Sequence, residues 1–320
     1  MADPIVFDGE VAVITGAGGG LGRAHAFALA ERGCRIVVND NGHPHAGDVP
    51  TAQAVVDALI AAGHEAVADS HDAITDGGAI IATALDAFGA VDIVVNNAGT
   101  GAGTPIGPDS AEQWRHTIDA TLQTTIAVTG AAWPHLSRSG HGRVVNTSSP
   151  AMFGAGSTLP YSAAKSAIYG LTRSLGSAGR KVGIGVNAIM PAAWTRLTKS
   201  LPAGPFQEMF ERHYDPADVA SFVTWLCHRS CAVTGESFSV GGGRAARVVL
   251  AENRGVLVDD RRPESWAEQI DTLLALDEVV FPTSMNDECT WQAHLLHAAG
   301  REVPAELAPG GSLDWNRHRR

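Results

Sequence analysis

Thr15-Gly16-Ala17-Gly18-Gly19-Gly20-Leu21-Gly22 stands between an apolar run, Val11–Thr15, and a helical pattern that begins at Leu21. Glycines allow the chain to turn tightly here, and they let backbone N–H groups come close to a phosphate. The N-terminus of the following helix favours negative charge, because its first N–H groups have no partner within the helix. A glycine-rich turn between the first strand and the first helix therefore predicts a seat for a dinucleotide diphosphate.

Short apolar runs alternate with longer helical patterns from this turn onward. The runs that predict buried strands are Val11–Thr15, Arg35–Asn39, Glu65–Ala68, Asp92–Asn96, Arg143–Thr147, Gly183–Ile189 and Ser237–Val240. The helical patterns between them include Leu21–Arg32, Thr51–Ala62, Thr75–Phe88, Ala111–Leu136 and Tyr161–Leu175. This alternation predicts a Rossmann-like α/β fold, a doubly wound parallel sheet of about seven strands with helices on both faces. Ligands of such sheets bind beyond the carboxyl ends of the strands.

The strand-and-helix alternation stops at about Gly241–Gly243. Residues 244–320 contain three tryptophans, scattered prolines and no further strand–helix–strand signal. We therefore expect residues 1–243 to form one nucleotide-binding domain that includes the catalytic site. Residues 244–320 are expected to form a C-terminal extension that packs on this domain.

The charge balance narrows the classes of partner. The chain has 34 acidic and 23 basic residues, a net charge of −11. Nucleic acids and anionic membranes both attract basic proteins, so neither is an expected partner. No apolar run is long enough to span a bilayer, and Met1–Gly9 lacks the features of a signal peptide. We expect a cytoplasmic protein that acts on a small-molecule substrate and has no metal site.

Three further segments are candidates for the nucleotide site. Asp40 ends the second strand, where a carboxylate can bind the adenosine ribose hydroxyls and repel a 2′-phosphate, which predicts NAD as the cofactor. Asp40 also lies in a turn-forming sequence, and both interpretations can hold together. Asn97-Ala98-Gly99 follows the fourth strand and is expected to line the adenosine side. Asp72-Ala73 follows the third strand, where Asp72 either bonds the adenine amino group or begins a helix.

A catalytic group is suggested by Tyr161 and Lys165, which are four residues apart in a helical pattern and so lie on one helix face. An ammonium beside a phenol is expected to lower the pKa of the tyrosine, which otherwise titrates near ~10. Ser148 ends the fifth strand, where its hydroxyl can bond a substrate oxygen. Lone Tyr/Lys pairs are usually surface features, but a pair that follows a strand ending in Thr-Ser-Ser in such a fold favours proton transfer.

The ordered set of these motifs, from Phe7 to Gly243, resembles the short-chain dehydrogenase/reductase family. The resemblance implies that Ser148, Tyr161 and Lys165 are catalytic, and that Ser148 and Tyr161 contact the substrate. Thr121 occupies the place where the family has an asparagine that supports a proton relay to the lysine. Trp194 follows the sixth strand and is expected to contact both cofactor and substrate. The cofactor-binding set implied by motif and resemblance is Gly16, Gly18, Gly20, Leu21, Gly22, Asp40, Asp72, Ala73, Asn97, Ala98, Gly99, Tyr161, Lys165, Pro191, Ala193, Trp194 and Thr195.

Within that family the chain resembles the (3R)-hydroxyacyl-CoA dehydrogenase modules of peroxisomal multifunctional enzymes type 2. The similar stretches are Thr15–Ala24, Val37–Asp40, Ala131–His135, Tyr161–Lys165 and Thr224–Cys231. The resemblance implies oxidation of a 3-hydroxyacyl-CoA, with a steroid or other hydrophobic secondary alcohol as the alternative substrate, and a homodimer or homotetramer. Two alternatives of another class are a catalytically weak, cofactor-binding regulator and a subunit of a larger assembly. We expect residues 195–213 to form a lid over the substrate.

Overall fold

The computed structural model describes residues 4–42, 52–100, 106–107, 110–199, 202–260 and 262–313. By its contacts the chain divides into two units, Met1–Val248 and Val249–Arg320. The first unit holds the elements predicted from the sequence, and the second is a smaller helical segment with one short strand pair.

The first unit is built on an eight-stranded sheet with the order β3-β2-β1-β4-β5-β6-β7-β8. The strands are β1 Val11–Thr15, β2 Arg35–Asn39, β3 Ala66–Asp69, β4 Ile93–Asn96, β5 Arg143–Thr147, β6 Gly185–Pro191, β7 Ser237–Gly241 and β8 Arg244–Val248. All neighbours are parallel except β7 and β8. The winding reverses between β1 and β4, so the crevice that binds ligands in such sheets lies beyond Thr15 and Asn96. The predicted doubly wound sheet is confirmed.

Nine α-helices connect these strands in the described part of the first unit. They are α1 Gly20–Ala30, α2 Ala52–Ala61, α3 Gly77–Phe88, α4 Ala111–Ile118, α5 Thr124–Ser139, α6 Leu159–Gly179, α7 Arg196–Lys199, α8 Pro205–His213 and α9 Pro216–Cys227. Helices α1, α2 and α9 contribute to one buried apolar cluster, and α3 and α5 contribute to another. Ile14 of β1 belongs to the first cluster and Val13 to the second. The central strands are therefore apolar on both faces, which is why they appear as continuous apolar runs.

The edge of the sheet differs from the prediction. Gly242 and Gly243 both have positive φ, +60° and +70°, and form a two-residue hairpin turn. This turn sends the chain back along β7 as the antiparallel strand β8. The predicted boundary after Gly243 falls inside the hairpin, and the first unit ends five residues later, at Val248.

The long helical pattern Ala111–Leu136 is not one regular helix. Helix α4 ends at Ile118, residues Asp119–Gln123 form a π-helical turn, and α5 begins at Thr124. A π turn inserts one residue into the helix and changes which side chains and carbonyls face inward. The sequence pattern could not predict this, because the apolar spacing on either side remains that of an α-helix.

The second unit contains a two-stranded antiparallel sheet and three helices in its described part. The strands are β9 Glu252–Asn253 and β10 Val279–Val280, and the helices are α10 Pro263–Ala267, α11 Ile270–Leu274 and α12 Met285–Ala298. The Asn253 side chain donates to the carbonyls of Leu273 and Ala275, each at 2.7 Å. No helix in the described residues of either unit is long and apolar enough to cross a membrane.

A chain of buried polar side chains joins the central sheet to helices α5 and α6. Asn96 on β4 donates to Thr129 on α5 at 2.8 Å and to Asn146 on β5 at 2.9 Å. Asn146 in turn donates to Thr172 on α6 at 3.0 Å. Asn96 and Asn146 are 3% and 0% exposed, so each amide depends on these partners. The chain of bonds positions α6 against the carboxyl ends of β4 and β5.

We expect Asn146→Ala to lower the free energy of unfolding by about 2–4 kcal/mol, because two buried polar partners lose a hydrogen bond each. Gln53→Ala is the control, since Gln53 bonds Asp57 on the exposed face of α2 and its loss should cost less than about 0.5 kcal/mol. Urea unfolding of both variants measures the difference. Equal costs for the two variants would contradict a structural role for the buried chain.

Candidate functional site

The glycine-rich turn is bonded to the end of β4. The Thr15 hydroxyl accepts hydrogen bonds from the backbone N–H groups of Asn97 (3.1 Å) and Ala98 (3.0 Å). The Asn97 amide donates to the carbonyls of Thr15 (3.0 Å) and Gly16 (2.9 Å). A Cβ on Gly22 would lie 2.3 Å from the Gly16 carbonyl oxygen, so α1 packs against the turn only with glycine there. The turn and the first residues after β4 thus form one rigid corner at the crevice.

Asp40 lies next to this corner. Its Oδ2 accepts the Gly18 N–H at 2.9 Å, and its Oδ1 accepts the Gly42 N–H at 3.0 Å. The first bond ties the carboxylate to the glycine-rich turn, and the second is the turn-forming contact expected from the sequence. Each carboxylate oxygen can accept a further bond, so both interpretations of Asp40 are compatible with its position.

A cavity of about 470 Å³ opens at the carboxyl ends of the strands. It brings together many residues predicted for the cofactor site, namely Gly16, Asp40, Asp72, Ala73, Asn97, Ala98 and Gly99. Asp72 accepts the Ile74 N–H at 2.7 Å in a turn, and α3 begins only at Gly77, so Asp72 does not itself begin a helix. Other lining residues were not predicted for this site, and they include His71, His116, Thr124 and Arg196.

His71 is held in the cavity wall by a buried carboxylate. Its Nδ1 lies 2.8 Å from Oδ2 of Asp69, whose side chain is 1% exposed. Burial raises the pKa of Asp69, but hydrogen bonds from Thr83, His71 and Asn39 outweigh this and lower it. The hydrogen bond between His71 and Asp69 also raises the pKa of His71. The sequence carried no signal for this pair, because it depends on where β3 ends.

The loop after β6 lies over the glycine-rich turn. The Thr195 side chain is 3.8 Å from the position that a Cβ on Gly20 would occupy. The Trp194 N–H donates to the Tyr214 carbonyl at 2.6 Å, which ties this loop to the end of α8. Ala193 is buried, while Pro191 ends β6 beside Val240 of β7. Thr195 is thus the predicted residue of this loop that lies against the glycine-rich turn.

Ser148, Tyr161 and Lys165 lie around the junction of β5 and α6. The Ser148 hydroxyl donates to the Lys165 carbonyl at 2.8 Å, and the Lys165 ammonium donates to the Thr147 carbonyl. Lys165 Nζ is 5.5 Å from the centre of the Tyr161 ring. Ser148 and Lys165 are 1% and 3% exposed. Two of the side chains predicted to be catalytic, Ser148 and Lys165, therefore also bond the end of β5 to α6.

The protonation of this group differs from expectation. Burial lowers the pKa of Lys165 to about 7. Burial raises the pKa of Tyr161, and a hydrogen bond with Ser149 offsets part of the rise. The expected lowering of the Tyr161 pKa by the ammonium is wrong for this state, because burial dominates and Lys165 bonds the Thr147 carbonyl instead. Ser149 was missed as a contact of Tyr161, although it is the second serine of the Thr-Ser-Ser sequence.

Thr121 lies in the π-helical turn and is fully buried. A Cβ on Gly99 would be 3.6 Å from Lys165 Nζ and 3.8 Å from Thr121 Oγ1, so all three meet at one point. The Thr121 hydroxyl has a long 3.4 Å contact with the Thr100 carbonyl. Its own carbonyl accepts the hydroxyls of Thr124 (3.2 Å) and Thr125 (3.3 Å). The predicted relay residue is therefore next to the lysine, in a helix segment whose hydrogen bonding is irregular.

The chain is similar to a known protein family over most of its first unit. The model of the short chain dehydrogenase family matches residues 10–203. The chain is 36% identical over 310 residues to the mouse peroxisomal multifunctional enzyme type 2, covering 94% of this chain and 42% of that protein. It thus spans less than half the length of that relative.

Two solved structures are similar to this chain in both fold and sequence. A short chain dehydrogenase from Mycobacterium avium is 36% identical, with a TM-score of 0.71 over 85% of this chain and 96% of that one. A 7α-hydroxysteroid dehydrogenase in complex with NADH and 7-oxo glycochenodeoxycholic acid is 28% identical, with a TM-score of 0.67 over 75% and 95% of the two chains. With the family model matching more than half of its length, the chain belongs to the short-chain dehydrogenase/reductase family of oxidoreductases.

Proposed function

We propose that this oxidoreductase is an NAD-dependent dehydrogenase that interconverts a secondary alcohol and a ketone, with a 3-hydroxyacyl-CoA as its substrate. The observation that carries the proposal is the convergence of Ser148, Tyr161 and Lys165 where β5 meets α6. The family uses a nicotinamide cofactor. Its fit is supported by the rigid glycine-rich corner and by a cavity lined by Gly16, Asp40 and Ala98.

In the proposed mechanism Tyr161 is the general base for alcohol oxidation. Its phenolate oxygen takes the hydroxyl proton while the carbinol carbon loses a hydride, leaving a ketone. A bound nicotinamide supplies the hydride acceptor. Ser148 turns its hydroxyl from the Lys165 carbonyl toward the substrate oxygen and holds it by a hydrogen bond. Since burial raises the pKa of Tyr161, the phenolate needs a nearby positive charge. A bound, oxidised nicotinamide would provide one, and Lys165 adds to it when it is protonated.

Lys165 is proposed to serve as the inner end of a proton path. Its pKa of about 7 allows it to take up and release a proton near neutral pH. Thr121 lies beside it and is proposed to hold a water molecule that continues the path. The irregular bonding of the π-helical turn favours this role, because backbone carbonyls in such turns accept hydrogen bonds from other groups.

NAD is proposed in preference to NADP because of Asp40. Its carboxylate is fixed by Gly18 and Gly42 at the cavity wall, where it can accept bonds from ribose hydroxyls. A 2′-phosphate at that place would meet a like charge. Asp72, which lines the same cavity, is proposed to contact the adenine amino group.

The acyl-CoA substrate rests on the similarity to the peroxisomal multifunctional enzyme, of which the chain covers only part. A hydrophobic secondary alcohol such as a steroid is the second candidate. It is favoured by α8 and the residue after it, because the rings of Phe206, Phe210 and Tyr214 lie in a row with centres 4.9 and 4.4 Å apart. Phe206 is 59% exposed, so this proposed lid offers an apolar surface. Trp194 would narrow the pocket for either substrate.

A panel of 3-hydroxyacyl-CoA thioesters, hydroxysteroids and simple secondary alcohols, assayed with NAD, tests these candidates. Turnover of the thioesters alone supports the first proposal, and turnover of the steroids alone supports the second. NADH binding without turnover of any compound would favour the cofactor-binding regulator or assembly subunit. A cytoplasmic location, a homo-oligomer and the packing of residues 244–320 stay predictions.

Tyr161→Phe removes the phenolate oxygen that accepts the proton in the proposed mechanism. We expect turnover to fall by about 10²–10⁴-fold or more, with NADH binding, followed by fluorescence, nearly unchanged. Tyr169→Phe is the matched control, because Tyr169 is buried two turns further along α6. Retained turnover in Tyr161→Phe, or an equal loss in the control, would defeat the assignment.

Asp40→Asn removes the charge and keeps an acceptor oxygen for the Gly18 N–H. We expect the ratio of kcat/KM for NADP to that for NAD to rise by about tenfold, since one like-charge repulsion disappears. Asp72→Asn removes an equal charge from the same cavity and should leave this ratio unchanged. A similar rise in both variants would mean that the net charge of the cavity, and not Asp40, sets the preference.

The depressed pKa of Lys165 has a consequence for stability. Between pH 7 and the pKa of an ordinary lysine, the native side chain is neutral while the unfolded one is protonated, so stability rises with pH in this window. Lys165→Met lacks this linkage. Urea unfolding at pH 7.0–9.0, a range chosen inside this window, measures the difference. The free energy of unfolding of the wild type, relative to that of the variant, should rise by up to about 1.4 kcal/mol per pH unit. Parallel pH profiles would refute a buried lysine of low pKa.

A further inference from the structure

Arg196 begins α7 and lines the cavity that also contains Gly16, Asp40 and Ala98. Among the described residues that line this cavity, it is the one arginine, and no lysine accompanies it. Its neighbour Thr195 lies against the start of α1, where a Cβ on Gly20 would be 3.8 Å away. The Arg196 side chain therefore extends from a loop that packs against the glycine-rich turn.

The donors of Arg196 are not used within the described part of the chain. No ion pair or side-chain hydrogen bond joins it to another described residue. Nearby basic side chains are engaged elsewhere. Lys199 Nζ lies 5.8 Å from the centre of the Trp194 ring, and the Arg23 guanidinium lies 4.4 Å from that of Phe27. Arg23 also lines a different groove, between α1 and α9.

The charges in the cavity indicate what this cation would bind. Asp40 and Asp72 are both in the lining, so the site is acidic at its adenosine end. A dinucleotide diphosphate adds two negative charges, and the residues of the turn itself are uncharged. Backbone N–H groups and the α1 dipole offset part of that charge. An arginine, which can bond two phosphate oxygens at once, is suited to supply the remainder.

We propose that Arg196 binds the diphosphate of the dinucleotide, and that this bond holds the loop after β6 over the cofactor. The proposal rests on the proposed nicotinamide-dependent function. It makes Arg196 a cofactor-binding residue whose bond couples cofactor binding to the placement of α7. Because Arg196 is exposed, the ion pair is screened by salt.

The test uses the full chain and the variant Arg196→Gln. Dissociation constants are measured for NADH by fluorescence, and for ADP and adenosine by competition with NADH. We expect about tenfold weaker binding of NADH and ADP in the variant, as for the loss of a charge-assisted hydrogen bond. Adenosine, which lacks phosphate, should bind both proteins equally. The NADH affinity of the wild type should also fall more steeply with added salt than that of the variant.

Arg23→Gln is the matched control, since it removes the same charge close to Gly20 but on the other groove. It should change none of the three constants appreciably. Unchanged NADH binding in Arg196→Gln overturns the proposal, and so does an equal loss for adenosine. A raised KM for a CoA thioester, with KM for the pantetheine thioester and the NADH constant unchanged, would assign Arg196 to the CoA phosphates instead. If the wild type binds neither NADH nor ADP, the proposed function itself fails, which is a separate result.

Discussion

Two side chains, Thr15 and Asn97, each bond the backbone of the other's segment at the point where the sheet changes its winding direction. Thr15 Oγ1 accepts two backbone N–H groups from the segment after β4, and the Asn97 amide returns two bonds to Thr15 and Gly16. This reciprocal arrangement satisfies backbone groups that the strand ladders leave open. It also fixes the distance between the glycine-rich turn and the segment that reaches Lys165 through Gly99. The cavity and the proposed catalytic group therefore share one wall.

Lys165 illustrates the energetic cost of such a site. A lysine that is 3% exposed loses most of its hydration, and its pKa falls to about 7 for that reason. Its ammonium is held by one main-chain carbonyl, that of Thr147, and Ser148 bonds back to the lysine carbonyl. The helix and strand thus carry polar side chains at positions where apolar ones would pack at lower cost. Function accounts for this choice better than stability does.

The cavity contains more titratable groups than the sequence suggested. Asp69 and His71 form a hydrogen-bonded pair in its wall, and Arg196 enters from a loop more than a hundred residues away. Such groups come from the ends of β3 and β6, which are separated by β2, β1, β4 and β5 in the sheet. Parallel strands bring their carboxyl ends to one edge, so residues distant in sequence meet there.

Sequence alone determined the strands, because each central strand is apolar on both faces and is bounded by turn residues. The bounds of β1, β2 and β5 agree with the predicted runs, and the Tyr161 and Lys165 spacing placed both on α6. Local patterns could not give the π-helical turn at Thr121, the bond from Lys165 to Thr147 or the hairpin that adds β8. These depend on contacts between elements that only packing brings together. The predicted direction of the Tyr161 pKa shift was wrong for the same reason. Burial is a property of the tertiary structure, and the spacing of residues on a helix does not report it.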